Sequence, residues 1–193
     1  MHQTPAPRFI DYYNLESYLF DVVNPRFHSD KFLSAFDFFC IVIWKANRAK
    51  SRIAKRLRLD ETRSLESAVR EMTNEIATAS SAKARVDVLM GKWAFRLPMA
   101  SAILTVLYPN EFTVYDVRVC SELNAFESLS NISDTEHRWT QYQAYRDAVE
   151  NEVKQPLSLR DKDRWLWGRS FVRQLENDIA SGFTPLPSAK SDA

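Results

Sequence analysis

The stretch that decides the fold is LMGKWAFRLPMASAILTVLYPNEFTVYDVRV, residues 89–119. Near its start Gly91 marks a break between regular elements. Pro98 lies where proline is favoured, in the first turn of a predicted helix. The apolar residues 99–107 predict that this helix continues until the Tyr-Pro-Asn sequence at 108–110 ends it. The pattern therefore predicts a glycine-marked break followed by a mostly apolar helix.

The end of the same stretch combines an extended segment with a helix start. Residues 112–115, Phe-Thr-Val-Tyr, are interpreted as extended chain. The next residue, Asp116, is of a type preferred at the N-cap of a helix. We therefore expect a new helix to begin at Asp116.

Apolar residues at helical spacing extend outward on both sides of this stretch. They predict further helices at residues 12–23, 31–59, 62–79, 133–153 and 158–179. The first is expected to end at Asn24-Pro25, because proline disfavours a helical conformation in the residue before it. The second is expected to be capped by Ser29 or Asp30, and it changes from apolar to basic along its length.

The composition favours one all-α domain. Of the 193 residues, 45% are hydrophobic, which is enough to bury a continuous core. Three glycines stand against eight prolines, which favours long helices, because glycine usually supplies the positive φ angles of short β-turns. We expect a single helical domain over residues 1–181 and a mobile C-terminal tail over residues 182–193.

The sequence favours a cytoplasmic protein without a membrane segment. The most apolar run, residues 32–44, is too short to span a bilayer. Cys40 and Cys120 lie far apart, and free thiols are the simplest interpretation. The formal net charge of +1 does not by itself identify a nucleic-acid-binding protein, so the distribution of charge has to decide.

Residues 89–119 resemble the hairpin, second helix and catalytic loop of the helix-hairpin-helix DNA glycosylases, which share the 8-oxoguanine DNA glycosylase-like fold. Gly91 corresponds to the hairpin, and residues 99–103 correspond to a helix rich in small residues. Residues 114–119 correspond to the loop that carries the aspartate, here Asp116. The resemblance implies an all-α fold and a small, divergent, bacterial-type member. It also implies base excision, in which a damaged or modified base is flipped out of duplex DNA and its N-glycosidic bond is hydrolysed.

Asp116 is the residue to which the resemblance assigns the chemistry. An ionised aspartate at the mouth of a cleft can stabilise the cationic sugar that develops as a base leaves, and it can orient the attacking water. The local sequence also supports a purely structural helix cap at Asp116. The two roles are compatible.

The resemblance further implies a monofunctional enzyme that uses water. Bifunctional members carry a Schiff-base lysine at a position that corresponds to Leu97 or Pro98, and neither side chain can attack. Lys92, the nearest lysine, lies at the other end of the hairpin. The sequence holds no four-cysteine cluster of the kind that binds an iron–sulfur centre, and we expect no metal and no other cofactor.

A basic cluster follows the apolar half of the second predicted helix. Its members are Lys45, Arg48, Lys50, Arg52, Lys55, Arg56 and Arg58. Such a cluster can neutralise several phosphates, and a glycine loop leading into a helix can present N–H groups to another. The predicted DNA-binding residues are therefore Gly91, Lys92, Arg96, Lys45, Arg48, Lys50 and Arg52. The alternative is a solvated helix face that pairs with the acidic residues at 60, 61, 66 and 71.

Aromatic residues supply candidates for a base pocket. An extruded base is held by stacking and by hydrogen bonds to its edge, and Trp44, Asn47 and Trp93 are the candidates for this role. The alternative for the tryptophans is core packing. Trp165 and Trp167 either pack the last helix against the rest of the fold or lie beside the cleft, and both interpretations stay open.

Three functions fit the sequence. The first is a monofunctional DNA N-glycosylase, a hydrolase for DNA repair or for defence against phage DNA with modified bases. The second is a non-catalytic helix-hairpin-helix DNA-binding module, which the single hairpin glycine and the missing lysine favour. The third is a helical interaction protein that binds no nucleic acid. For the first two, the expected partner is duplex DNA and the expected state is a monomer.

Overall fold

The computed structural model describes residues 9–58 and 63–183, and every regular element within these ranges is helical. The α-helices are α1 (Leu15–Tyr18), α2 (Asn24–Asp30), α3 (Ala35–Ala46), α4 (Lys50–Leu57), α5 (Leu65–Thr78), α6 (Ala82–Asp87), α7 (Leu97–Leu107), α8 (Val117–Leu123), α9 (Thr135–Glu152) and α10 (Leu159–Ala180). Short 3₁₀ turns lie at Phe9–Tyr12, Asn47–Ala49 and Leu129–Asn131, and π-helical turns lie at Leu19–Val23 and Val88–Lys92. The all-α prediction is confirmed for the described residues. The ends of two predicted helices, at residues 59 and 62, and residues 184–193 of the predicted tail lie outside these ranges.

The helices around the deciding stretch follow the prediction. α7 carries Pro98 in its first turn and ends before Tyr108. Asp116 caps α8 by accepting a hydrogen bond from the backbone N–H of Arg118 at 3.0 Å. Downstream, α9 and α10 begin and end within two residues of their predicted bounds, and the side chain of Ser158 caps α10.

The prediction that Asn24-Pro25 ends the first helix is wrong. The π-helical turn Leu19–Val23 runs directly into α2, and Pro25 falls in the first turn of α2. Pro25 follows directly on the π-helical turn, so its missing N–H falls where the hydrogen-bond register changes from π-helical to α-helical. The helix ends instead at Lys31, which has a left-handed conformation with φ 64°.

The second predicted helix is two helices, and it starts later than predicted. Ser29 and Asp30 lie inside α2, so neither caps it. The cap is Ser34, whose hydroxyl accepts a hydrogen bond from the backbone N–H of Asp37 at 3.1 Å. The 3₁₀ turn Asn47–Ala49 then separates α3 from the basic α4.

α3 and α7 form the centre of the core. Almost every side chain of α7 is buried, and Phe38 of α3 meets Phe95, just before α7, edge to face at 6.2 Å between ring centroids. α2 and α6 pack against α7, α5 packs against α3, and α8, α9 and α10 pack against one another. Cys40 and Cys120 are both buried and free. No helix in the described ranges combines the length and the apolar character that crossing a bilayer requires.

The segment between α7 and α8 is extended and buried, and no strand among the described residues pairs with it. Side chains of α9 supply hydrogen bonds in place of a strand. The hydroxyl of Tyr142 donates to the carbonyl of Thr113 at 2.6 Å and accepts from the N–H of the same residue at 3.1 Å. The hydroxyl of Tyr145 donates to the carbonyl of Val114 at 2.8 Å. α9 therefore fixes the middle of the segment.

The end of the segment is fixed by α7. The N–H of Tyr115 donates to Oγ of Ser101 at 2.9 Å, and this hydroxyl donates to the carbonyl of Pro98 at 3.3 Å. The segment thus returns along α7 from its C-terminal end toward its first two turns. Asp116, the next residue, lies at the end of α7 that is nearest to the predicted hairpin.

We expect Tyr142→Phe to lower the free energy of unfolding by about 1–3 kcal/mol, because the buried N–H and C=O of Thr113 both lose their partner. Urea denaturation of the full chain measures this change. Tyr13→Phe is the matched control, because Tyr13 is 93% exposed and we expect a change within about 0.5 kcal/mol. Equal stability of the two variants would show that the Tyr142 hydroxyl does not hold the segment.

Candidate active site

A cavity of about 450 Å³ lies where α1, α3, α10 and the extended segment come together. This volume falls in the range of about 300–1,000 Å³ that is typical of small-molecule sites. Its lining combines acidic, basic and aromatic side chains. The lining residues are Glu16, Trp44, Lys45, Val114, Asp116, Arg160, Asp163, Arg164 and Trp167.

Asp116 is both a helix cap and a residue of the cavity wall. Its Oδ1 accepts the capping hydrogen bond from Arg118, and its Oδ2 accepts a hydrogen bond from Nζ of Lys45 at 2.6 Å. The side chain of Asp116 is 21% exposed and that of Lys45 is 14% exposed. The structural and the chemical roles considered for Asp116 therefore do not exclude each other.

The environment of Asp116 keeps its carboxylate ionised. Burial by itself raises the pKa of a carboxyl group, because it disfavours the charged form. Here the positive charge and hydrogen bond of Lys45, together with the N–H of Arg118, outweigh burial and lower the pKa of Asp116 below its ordinary value. At neutral pH the cavity thus presents a negative carboxylate.

A second carboxyl group, Asp163, lies in the same cavity but has the opposite shift. Its side chain is buried on α10 and accepts a hydrogen bond from Nη1 of Arg160. Burial raises the pKa of Asp163 to about 6, against the lowering effect of the charges on Arg160 and Lys45, and the negative charge of Asp116 adds to the rise. The two carboxyl groups therefore release their protons in different pH ranges.

Arg160 connects α10 to α1 and to Trp44. Its Nη2 donates to Oε1 of Glu16 at 2.8 Å, and its guanidinium lies over the ring of Trp44, 5.1 Å from the centroid. Trp44 also meets Phe20 edge to face at 6.1 Å. Trp44 is therefore partly buried and still faces the cavity, so the pocket and core alternatives both describe part of its environment.

Trp167 lies at the edge of the cavity, whereas Trp165 does not line it. The Trp167 ring is 43% exposed and stacks parallel to Phe171, with centroids 5.7 Å apart. The guanidinium of Arg118 lies 5.4 Å from its centroid. Of the two tryptophans left open by the sequence, Trp167 is the one beside the site.

Asn47 and Trp93 do not line the cavity. Asn47 is exposed, and its side-chain oxygen accepts a hydrogen bond from Nζ of Lys50 at 2.9 Å. Trp93 is buried, and its indole N–H donates to Oε2 of Glu75 at 3.0 Å. The structure therefore brings only Trp44 of the three predicted pocket residues to Asp116.

The hairpin differs in detail from the expectation. Gly91 lies within the π-helical turn Val88–Lys92, so it does not form the turn between the helices. The turn follows at residues 93–96, where Ala94 adopts a left-handed conformation with φ 53°. Lys92 does not reach the cavity but pairs with Glu71 at 3.3 Å and with Glu75.

The predicted DNA-binding cations divide into two groups. Lys45 belongs to α3 and lies in the cavity, because the 3₁₀ turn after α3 separates it from the rest. The side chains that stay exposed are Arg48, Lys50, Arg52, Arg96 and Lys92, the last of which pairs with Glu71 and Glu75. Arg56 of α4 donates to the carbonyl of Ala94 in the hairpin turn, which joins the basic helix to the hairpin.

Four cavity residues come from α10, and the sequence analysis singled out only Trp167 among them. Arg160, Asp163, Arg164 and Trp167 follow one another at i, i+3, i+4 and i+7. That spacing places them on one face of a helix. The sequence therefore contained a signal for these four cavity residues, namely charged and aromatic side chains along one helix face. It contained no comparable signal for Glu16 of α1.

No family model, curated protein or solved structure gives a significant match to the chain. The geometry and charge of the site therefore carry the information on function. An ionised carboxylate, a second carboxyl group with a raised pKa and aromatic walls suit general acid–base chemistry on a ring-shaped substrate.

We expect Asp163 to make stability depend on pH between its ordinary pKa of 3.8 and its folded pKa of about 6. The folded protein binds this proton more tightly than the unfolded chain, so the stabilising contribution is complete below that range and is lost as the pH rises through it. The advantage of the wild type over Asp163→Asn in free energy of unfolding should shrink across this interval. Denaturation at several pH values measures it.

Asp161→Asn is the control for that experiment, because Asp161 is on the same helix and has the opposite shift. The hydrogen bond from Ser158, and then Arg164, lower the pKa of Asp161. Its stabilising contribution is therefore present above its ordinary pKa and is lost as the pH falls. The same pH trend in both variants would contradict the assignment of the effect to Asp163.

Proposed function

We propose that this chain is a monofunctional DNA glycosylase of the helix-hairpin-helix type. It would hydrolyse the N-glycosidic bond of a damaged or modified base that is flipped out of duplex DNA. The observation that carries the proposal is the position of Asp116, an ionised carboxylate held by Lys45 in the wall of a cavity of about 450 Å³. The resemblance of residues 89–119 to the glycosylases supplies the reaction class.

In the proposed reaction, the bond between C1′ and the base nitrogen breaks and its electron pair leaves with the base. Asp116 stabilises the positive charge that develops on the sugar. A water oxygen then bonds to C1′, and Asp116 accepts the proton that this water releases. The departing base takes up a proton, for which Asp163 is the donor, because its raised pKa of about 6 keeps part of this group protonated at mildly acidic pH. The products are a free base and an abasic site.

The aromatic residues of the cavity fit the binding step. An extruded base is held by stacking and by hydrogen bonds to its edge. Trp167 is half-exposed at the cavity edge, and Trp44 lies further in, against Arg160. Glu16 and Arg164 add an acceptor and a donor to the lining. The cavity thus contains both kinds of contact that a flipped base requires.

The exposed cations support an approach of the duplex from the hairpin side. Arg48 in the 3₁₀ turn before α4 and Lys50 and Arg52 of α4 are all exposed. The hydrogen bond from Arg56 to Ala94 sets α4 beside the hairpin turn. The extended segment brings Asp116 to the same end of α7. Phosphate contacts would hold the backbone there without reading sequence.

Lys45 lies beside Asp116, so an imine mechanism has to be considered. Its amine reaches the site from α3 and not from the position that the resemblance implied. An amine has to be unprotonated to attack a carbonyl. Nζ of Lys45 is held in an ion pair by Oδ2 of Asp116 at 2.6 Å, so it is not free to attack. We therefore propose hydrolysis and assign to Lys45 the role of keeping Asp116 ionised.

A non-catalytic DNA-binding module is the second candidate. One observation favours it: Lys45 occupies Oδ2 of Asp116, the oxygen that the reaction would use. In that case the same basic surface binds duplex DNA and the ion pair is structural. The next two experiments separate the candidates.

We expect Asp116→Asn to reduce base release by about 10²–10³-fold while duplex binding is retained, because asparagine keeps the helix cap but removes the charge. The assay incubates the protein with duplexes that carry diverse base lesions and phage-type modifications, and it measures alkali-labile breaks. Asp134→Asn is the matched control, since Asp134 caps α9 through the N–H of His137 and lies outside the cavity lining. Binding without breaks across the panel would establish the non-catalytic module instead.

Lys45→Arg and Lys45→Met test the role of Lys45. We expect Lys45→Arg to retain activity, because it keeps a cation beside Asp116. Lys45→Met should move the acidic limb of the pH–rate profile to higher pH, because the pKa of Asp116 then rises. Borohydride treatment of the wild-type protein with abasic DNA should give no covalent adduct. An adduct that disappears in Lys45→Arg would replace hydrolysis by an imine mechanism.

A further inference from the structure

From Trp165 to Ile179, α10 carries an apolar face that nothing in the described part of the chain covers. Its members follow one another at alternating intervals of three and four, the spacing of a coiled-coil seam. We call them the α10 seam: Trp165, Gly168, Val172, Leu175 and Ile179. The large side chains of the seam are all exposed, Ile179 most of all at 61%. The seam extends over about 20 Å of helix, from 165 to 179, at 1.5 Å per residue.

Gly168 is the feature of this helix that the fold itself does not explain. Glycine is unfavourable in the interior of a helix, because it loses more backbone freedom than any other residue. Within the fold, no neighbour requires its small size, since a Cβ added there meets no atom within 4 Å. A close approach from outside the chain would explain a glycine at this point.

We propose that α10 pairs with α10 of a second copy of this chain, antiparallel, along the α10 seam. The sizes of the side chains along the seam support this pairing. With Val172 of one copy set against Leu175 of the other, the next layer pairs a small residue with a large one, Gly168 with Ile179, and Trp165 lies level with the turn that follows α10. A parallel pair would set Gly168 against Gly168 and leave a gap in the seam. Pairing of self-complementary faces of this kind closes as a two-fold dimer.

The charged residues beside the seam also support this pairing. Glu176 forms no ion pair among the described residues, and it flanks the seam. In the antiparallel register it lies level with Phe171 of the other copy, between Arg169 and Arg173. Both arginines pair with Glu122 of their own chain, and the side chain of Arg173 stays 62% exposed and open to a second carboxylate. The register therefore sets acidic and basic residues together twice along one edge of the pair, once from each copy.

A nucleic acid is a poor occupant for this face. The seam consists of aliphatic, aromatic and glycine residues without a cation, whereas DNA contacts require cations opposite the phosphates. The proposal is independent of the proposed glycosylase activity, and it replaces the expectation of a monomer.

The test is the oligomeric state of the full chain, measured by analytical ultracentrifugation from about 1 μM to about 1 mM, which covers weak to moderate association. We expect a reversible dimer. We expect Leu175→Glu to raise the dimer Kd by at least about 100-fold, because the two-fold axis introduces the charge twice. Leu157→Glu is the matched control, since Leu157 is 39% exposed and Leu175 is 38% exposed, and we expect no more than about a twofold change.

Gly168→Leu separates a partner contact from a property of the single helix. Leucine is a good helix former, so the variant should raise the thermal stability of dilute protein. In the same variant the dimer Kd should rise, because the new side chain collides with Ile179 of the other copy. A wild type that stays monomeric at every concentration overturns the proposal. So does a dimer that neither variant weakens, or a Leu175→Glu variant that changes only the affinity for duplex DNA.

Discussion

The extended segment between α7 and α8 is buried without a partner strand, so side chains have to pair its backbone N–H and C=O groups. Tyr142 and Tyr145 reach it from α9, and Ser101 reaches it from α7. These bonds come from rigid helices, so the segment behaves like a strand that is held from both sides. A carboxylate at the end of such a segment has a better-defined position than one on a free loop. Asp116 owes its place in the cavity to this constraint.

The second requirement of the site is charge balance. Two carboxyl groups in one partly buried cavity are unfavourable unless each has a cation. Lys45 serves Asp116, and Arg160 serves Asp163. Lys45 lies in the last turn of α3, where the helix dipole also favours a positive charge. Asp116 keeps contact with solvent while Asp163 is almost fully buried, so the pKa values of the two groups move in opposite directions. Burial therefore dominates at Asp163, whereas the cation and the capping N–H dominate at Asp116.

The parts of the structure that sequence could predict depend on neighbours within a few residues. Pro98 in the first turn of α7 and Asp116 at the cap of α8 are local features, and local rules placed both correctly. The pairing of Lys45 with Asp116 joins residues 71 positions apart, which no local pattern contains. Lys45 and Arg48 fall in one basic cluster when α3 and α4 are taken as a single helix, as the sequence pattern predicts. The 3₁₀ turn at Asn47–Ala49 divides that helix, and it separates a cavity residue from the surface cations.

α10 joins the cavity to an outward surface through consecutive turns of one helix. Arg160 and Asp163 near its start line the cavity, and the α10 seam runs from Trp165 to Ile179. Trp167 belongs to the cavity lining and stacks parallel to Phe171, which lies beside the seam one turn further along. A second α10 along the seam would enclose Phe171 and thereby limit the movement of Trp167 at the cavity edge. Association and access to the site would then be coupled through one pair of aromatic rings, with no rearrangement of the core.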